Sequence, residues 1–297
     1  MSVVRSDETG MQRSSSTRRA DRRVCRLLAL VALAAAGCAN GRTVVPVRMQ
    51  PAALATASAV DLSSYEATVR GIAGIIVRDL GLPLPETVTV YVYSSREIFE
   101  EGLVADGRVS RVRAAELSDF ALGVGKRRQL LLHQEPNVGS AEWVRLVAHE
   151  LAHVSQIELA EGEGRAEQWL AEGLAEWVAY RVLERLRLDT VMRRRIVALE
   201  SVRDHRPVVA RRLDLETLGT PRGFTVRHLR EGSQATYQLS YLLADYLIAR
   251  DGLDRVTDYF RSCATRGDRH GRFAAAFGQS LEEFEREALV HLAKLSH

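Results

Sequence analysis

Three residues within five positions can do chemistry together: His149, Glu150 and His153, in the segment Val147-Ala148-His149-Glu150-Leu151-Ala152-His153-Val154. The segment is apolar with helical periodicity, and on a helix positions i and i+4 share a face. Both imidazoles can therefore reach one ion, while Glu150 stands beside them toward an open coordination position. Zinc suits such a site. Three protein ligands leave a fourth position for water, whose pKa falls toward about 7, and a neighbouring carboxylate takes the proton as that water attacks.

A third ligand is available downstream. Glu172 follows His153 after an interval of eighteen residues, in Gln168-Trp169-Leu170-Ala171-Glu172-Gly173-Leu174-Ala175-Glu176-Trp177. That interval accommodates a loop at Glu161-Gly162-Glu163-Gly164 and an antiparallel return helix, which sets Glu172 against the first helix. Glu176 sits one turn further on the same face, where a carboxylate can take the other ring N–H of His149 and fix its tautomer.

H-E-x-x-H, eighteen residues, then W-L-x-E-G-x-A-E resembles the gluzincin metallopeptidases, in particular the peptidase MA-like families. The resemblance is specific over residues 145 to 178 and extends more broadly over 140 to 290. It implies a Zn2+ cofactor on His149, His153 and Glu172, Glu150 as general base, and Glu176 as the partner behind the ligands. Ala235-Thr236-Tyr237-Gln238-Leu239-Ser240 is similar to the segment in which gluzincin aminopeptidases place an oxyanion-stabilising tyrosine, which maps to Tyr237; a phenol donates well to developing charge. The plain alternative is that Tyr237 only packs. The Gly-x-Met-Glu-Asn type motif that grips a free substrate N-terminus in those aminopeptidases is missing, which argues against that activity. The closing stretch Phe273 to Phe284 also resembles the end of such domains.

The elements that must carry these residues follow from pattern. Tyr65, Val69, Ile72, Ile76 and Leu80 recur at helical spacing until Gly81, Pro83 and Pro85. Thr87 to Tyr93 is β-branched and aromatic throughout and reads as a strand. Ser94 to Leu103 reads as a helix, and Phe120–Val124 and Gln129–His133 as two strands about a Gly125-Lys126-Arg127 turn. Leu130 to His133 stands where the class it resembles runs an edge strand that pairs with an extended substrate, with an ordinary sheet strand as the alternative. From Ser140 the chain is helical, over about 140 to 160, 166 to 188, 234 to 250, 253 to 262 and 280 to 294. Strands first and helices afterwards predict α+β, with a small antiparallel or mixed sheet before a mainly helical half.

The chain has 297 residues and a formal net charge of +3. The first 37 carry seven Arg against two Asp and one Glu, so the remainder sits near −1 and nucleic acid is not an expected partner. Lys126 and Lys294 are the only lysines. Cys25, Cys38 and Cys263 show no metal-ligand spacing and no disulfide framework. Residues 27 to 37 form an apolar run of eleven, too short for a bilayer span of about 20 and right for a signal-peptide core. Its end, Ala35-Ala36-Gly37-Cys38, resembles a bacterial lipoprotein box, which implies multiple acylation at Cys38 and firm attachment; a plain secretory signal is the alternative. Ala39 in place of Asp favours the outer membrane.

The expected organisation is a signal segment over 1–37, a flexible tether over 38–60 and a metallohydrolase domain over 61–297. Other residues read as structural: Trp169, Trp177, Tyr241 and Tyr246 as core, Cys263 as inert, the Arg193-Arg194-Arg195 and Arg211-Arg212 runs as solvated faces, and His133, His205 and His228 as packed or surface histidines, with substrate contact as the alternative. The leading expectation is a zinc-dependent peptidase acting on a peptide or protein substrate. The rivals are an envelope lipoprotein that uses the fold as a binding or scaffolding module, and a zinc hydrolase of a non-peptide amide.

Overall fold

The computed structural model describes residues 41–49, 60–134, 139–162, 166–203 and 210–295. The segment 1–37, Cys38 and His205 lie outside them. Among the described residues the fold is α+β: four strands, all before residue 134, and then a helical C-terminal part.

The strands are β1 (Arg42–Arg48), β2 (Thr87–Tyr93), β3 (Gly123–Lys126) and β4 (Gln129–His133), arranged β1-β2-β4-β3. β1 is antiparallel to β2, β2 is parallel to β4, and β3 is antiparallel to β4, so the sheet is mixed. Helix α1 (Tyr65–Leu80) joins β1 to β2, and the parallel step from β2 to β4 is bridged by α2 (Arg96–Ala105), α3 (Arg111–Ser118) and then β3. Both sheet faces are covered. Val88, Val90, Leu130 and Leu132 face the main core, while Tyr93 and Leu131 face a smaller cluster with Phe99, Leu103 and Ala114. Coverage on both sides is why Leu130-Leu131-Leu132 is a continuous apolar run rather than an alternating one.

Two expectations are corrected by the sheet. Residues 42–48 were expected in the tether but form β1, paired along its whole length with β2. Its half-exposed pattern and Pro46 hid it, and a proline that cannot donate is tolerated because β1 is an edge. Leu130–His133 is not an edge strand but lies between β2 and β3, because the chain turns back at Arg127-Arg128 and sets β3 outside it. An apolar strand buried on both faces needs neighbours; the glycine-rich β3 suits the rim.

The helical part continues with α4 (Ala141–Ala160), α5 (Gln168–Arg185), α6 (Val191–Arg203), α7 (Leu215–Leu218), α8 (Pro221–Glu231), α9 (Ser233–Asp251), α10 (Leu253–Ser262), α11 (Arg269–Phe277) and α12 (Leu281–Leu295). No described helix is long and apolar enough to cross a membrane. Helix α4 starts at Ser140, whose side chain accepts from Trp143 N, with Glu142 in the first turn where an anion is favoured. It ends at Glu161 in the left-handed region, φ 52°. Most of α4 and α5 is buried on all sides, which an apolar helix within a core permits. Gly173 on α5 is required by close approach: a Cβ there would collide with the Ser240 carbonyl oxygen of α9. Trp169, Trp177, Tyr241 and Cys263 are buried. Tyr246 is half-buried and bonds Glu287.

Candidate metal centre

Helices α4 and α5 run antiparallel: Arg145 meets Glu176, His149 meets Glu172, and Gln156 donates to the Ala171 carbonyl at 2.8 Å. This pairing brings together the three expected ligands. His149 Nε2 and His153 Nε2 lie 3.1 Å apart, and each is 3.3 Å from Glu172 Oε2. Glu172 Oε2 is buried and accepts no hydrogen bond.

Those separations can be compared with what an ion requires. Zinc bonds of about 2.0–2.2 Å to nitrogen and oxygen, in tetrahedral arrangement, put ligand atoms roughly 3.3–3.5 Å apart. Two imidazole nitrogens and one orphaned carboxylate oxygen within about 0.2 Å of that spacing fit the ion in geometry and in donor chemistry. Charge agrees as well. With both imidazoles neutral, Glu150, Glu172 and Glu176 against Arg145 leave two negative charges, which a divalent cation matches.

The atoms facing away from this triangle are held in turn. Glu176 Oε1 lies 3.3 Å from His149 Nδ1 and accepts from Arg145 Nη1 at 2.6 Å. His153 Nδ1 lies 3.0 Å from Gln156 Oε1, and Gln168 Nε2 donates to Glu172 Oε1 at 2.8 Å. Such partners orient ligands and select the tautomer that leaves Nε2 inward. Glu150 Oε2 accepts from Gly125 N at 2.5 Å, which ties the carboxylate to the edge strand β3.

Electrostatics follow from burial and these contacts. Burial alone would strip His149 of its proton, but the carboxylates of Glu172 and Glu176 outweigh it and raise the imidazole to about 10. His153 is raised against the same burial by Glu172. Burial pushes Glu172 up, yet His153 and His149 hold it well below the usual carboxylate range. Glu176 is likewise held down to about 2 against its burial, chiefly by the charge of Arg145. Tyr237 on α9 is pushed well above its ordinary value, first by burial and then by Glu172, Glu150 and Glu176, so its hydroxyl keeps its proton.

Tyr237 does reach the site. Its ring centroid is 6.0 Å from that of His149, and it is packed edge-on by Phe224 and His228. A cleft of about 300 Å³ is lined by His149, Glu150, His153, Glu172 and Tyr237, with Gly123, Val124 and Gly125 of β3 along one wall. His228 is buried beside Tyr237, while His133 ends β4 away from the ligands. The arginine run on α6 is not wholly solvated: Arg193 is exposed, but Arg194 pairs with Glu142 and Asp189, and Arg195 with Asp245.

Comparison with family models, curated proteins and solved structures found no match to this chain.

Four contributors escaped the sequence reading. Gln156, Gln168 and Arg145 each stand three or four residues from a ligand on the same helix, a spacing that could have flagged them. Gly125 had no such signal, because its partner Glu150 lies on another element.

Proposed function

We propose that the chain is a zinc-dependent peptidase of the gluzincin type, with His149, His153 and Glu172 as metal ligands. The observation that carries this reading is the triangle of His149 Nε2, His153 Nε2 and Glu172 Oε2 at 3.1–3.3 Å, on the wall of a cleft shared with Glu150 and Tyr237. When bound, zinc would supply a Lewis acid for the scissile carbonyl and a water acidified toward about neutral pH.

The chain's own groups do the rest. Glu150 takes a proton from the attacking water and returns it to the leaving amine. The Gly125 N–H keeps that carboxylate in place. Tyr237, protonated across the working pH range, donates to the oxyanion that forms on the carbonyl. The outer side of β3 beyond the Gly125 N–H would offer an extended peptide a place to add as a further strand along the cleft. Retention of all three ligands together with Glu150 supports a hydrolase over a binding or scaffolding module. Attachment of the protein to the outer face of a membrane through Cys38 belongs to the same proposal.

The test is metal content by mass spectrometry on the purified full chain, beside His153→Ala, Glu172→Ala and Glu150→Gln. Near-stoichiometric zinc that is lost in the first two variants and kept in the third is expected, with cleavage of a peptide library by the wild type alone. A folded wild type that takes up no zinc when offered it would sink the hydrolase reading. A zinc-loaded protein that cuts simple amides but no peptide would redirect it to the non-peptide class.

A further inference from the structure

Beyond Tyr237 the cleft opens into a second lobe of about 400 Å³, which shares His149, Glu150 and Tyr237 with the first and reaches Arg145, Arg194 and Glu142 at its far side. The two arginines converge on one carboxylate. Arg145 Nε donates to Glu142 Oε2 at 2.9 Å, and Arg194 Nη2 donates to Glu142 Oε1 at 2.9 Å.

The partners in this cluster differ in freedom. Arg145 is anchored by Nη1 to Glu176 at 2.6 Å, and Glu176 is almost wholly buried. Arg194 is anchored by Nε against Asp189 at 2.7 Å and lies over the Tyr180 ring, 5.5 Å from its centroid. Both guanidinium groups are mostly covered, at 26% and 18% side-chain exposure, whereas the Glu142 side chain is 65% exposed. Two mostly covered cations thus hold one exposed anion. Glu142 is the exposed member of this network, and in the first turn of α4 its charge stays near the helix N-terminus whether or not its carboxylate touches the arginines.

We propose that Arg145 and Arg194 form a clamp for a substrate carboxylate, which Glu142 occupies until that carboxylate displaces it. The inference rests on the hydrolase reading of the adjoining centre. Two guanidinium groups with one donor each turned to the same place match the two oxygens of a carboxylate. Arg145 precedes His149 by one helical turn, about 6 Å along the axis, and an extended peptide covers that in roughly two residues. The substrate class is therefore a peptide with an anionic group within a residue or two of the bond cut. That group is either its C-terminal carboxylate or an Asp or Glu side chain.

Calorimetry on the full chain carrying Glu150→Gln and loaded with zinc separates these sources without turnover. The ligands are acetyl-Ala-Ala-Ala, its C-terminal amide, and acetyl-Ala-Ala-Asp amide. One of the two acidic peptides is expected to bind at least about tenfold more tightly than the plain amide, the scale of a hydrogen bond to a charged group; which one does so identifies the source. Adding Arg194→Gln should erase that preference, and adding Glu142→Gln should strengthen acid binding several-fold by removing the competitor. Equal affinity for the three peptides, no binding of any, or a preference that survives Arg194→Gln would overturn the clamp, as would an acid affinity that Glu142→Gln weakens. If the acid still binds more tightly while the wild type cuts no peptide, the clamp stands and the hydrolase reading falls.

Discussion

The backbone N–H of Gly125 donates to Glu150 Oε2 at 2.5 Å, so the rim of the sheet and the carboxylate between the two histidines are one unit. A side chain at this position has no room, because a Cβ on Gly125 would collide with the Glu150 carbonyl oxygen. Gly125→Ala must push β3 away from α4 and release Glu150. Zinc content should stay near the wild-type value, since the ligands belong to α4 and α5. Peptide hydrolysis should fall by about 10²-fold, the scale of an ångström-level misplacement. Parallel metal analysis and kcat measurement check this, and loss of zinc along with activity would show that the glycine serves the ligands instead.

Glu176→Gln tests the group behind His149. The amide still offers an oxygen to Nδ1 but removes the charge that Arg145 holds in place. Loss of such a partner typically costs about 10–100-fold in metal affinity. A competition titration against a zinc chelator should show a shift of that size with the fold intact by circular dichroism.

Glu167, at the start of α5, supplies a pH dependence of stability separate from the metal. It is fully buried with Arg269 Nε 3.1 Å from Oε1, yet neither carboxylate oxygen is hydrogen-bonded to a partner. Burial outweighs the arginine and raises Glu167 to about 7. A carboxyl whose folded value exceeds its unfolded value of about 4.5 binds more protons in the folded state between the two. Stability must therefore fall as pH rises through that window and then level off, by about 3 kcal/mol in all for this group. Urea unfolding at pH 5 and pH 8 should show wild type losing stability relative to Glu167→Gln on going to the higher pH. A difference independent of pH would exclude the titration.

Removal of residues 1–60 takes β1 away from β2. Val47 and Met49, both buried, go with it, and β2 becomes an open edge in the centre of what was a sheet, a ready template for aggregation. The truncated chain is expected to be less soluble and to melt several degrees lower than a chain that begins at Gly41; equal melting temperatures would show that β1 adds nothing to the fold.

The candidate metal centre is legible because its parts obey helical arithmetic. His149 and His153 are four apart, Glu172 and Glu176 are four apart, and the interval between the pairs is that of a helical return. α4 and α5 could then be drawn, and the burial of Trp169 and Trp177 anticipated, from apolar spacing alone. Local pattern failed where pairing was between distant segments. The strand β1 carries a proline and a half-exposed face, so nothing within it announces a strand; only β2 makes it one. That the edge is β3 and not β4 also depends on distant pairing, since β4 takes β2 as its other neighbour.

What the sequence determined by itself is therefore the candidate donor set: two imidazoles and a carboxylate on adjoining helices, with a second carboxylate beside them and the α+β order of elements that holds them. Residue type and period suffice for that, because a helix places i and i+4 together whatever surrounds it. The tertiary structure alone decided which β-strand meets Glu150, where Tyr237 lies relative to His149, and that Arg145 and Arg194 converge on Glu142. Apart from the Arg145–Glu142 contact within α4, those relations join residues 25 to 88 positions apart and depend on how apolar faces pack rather than on any spacing along the chain.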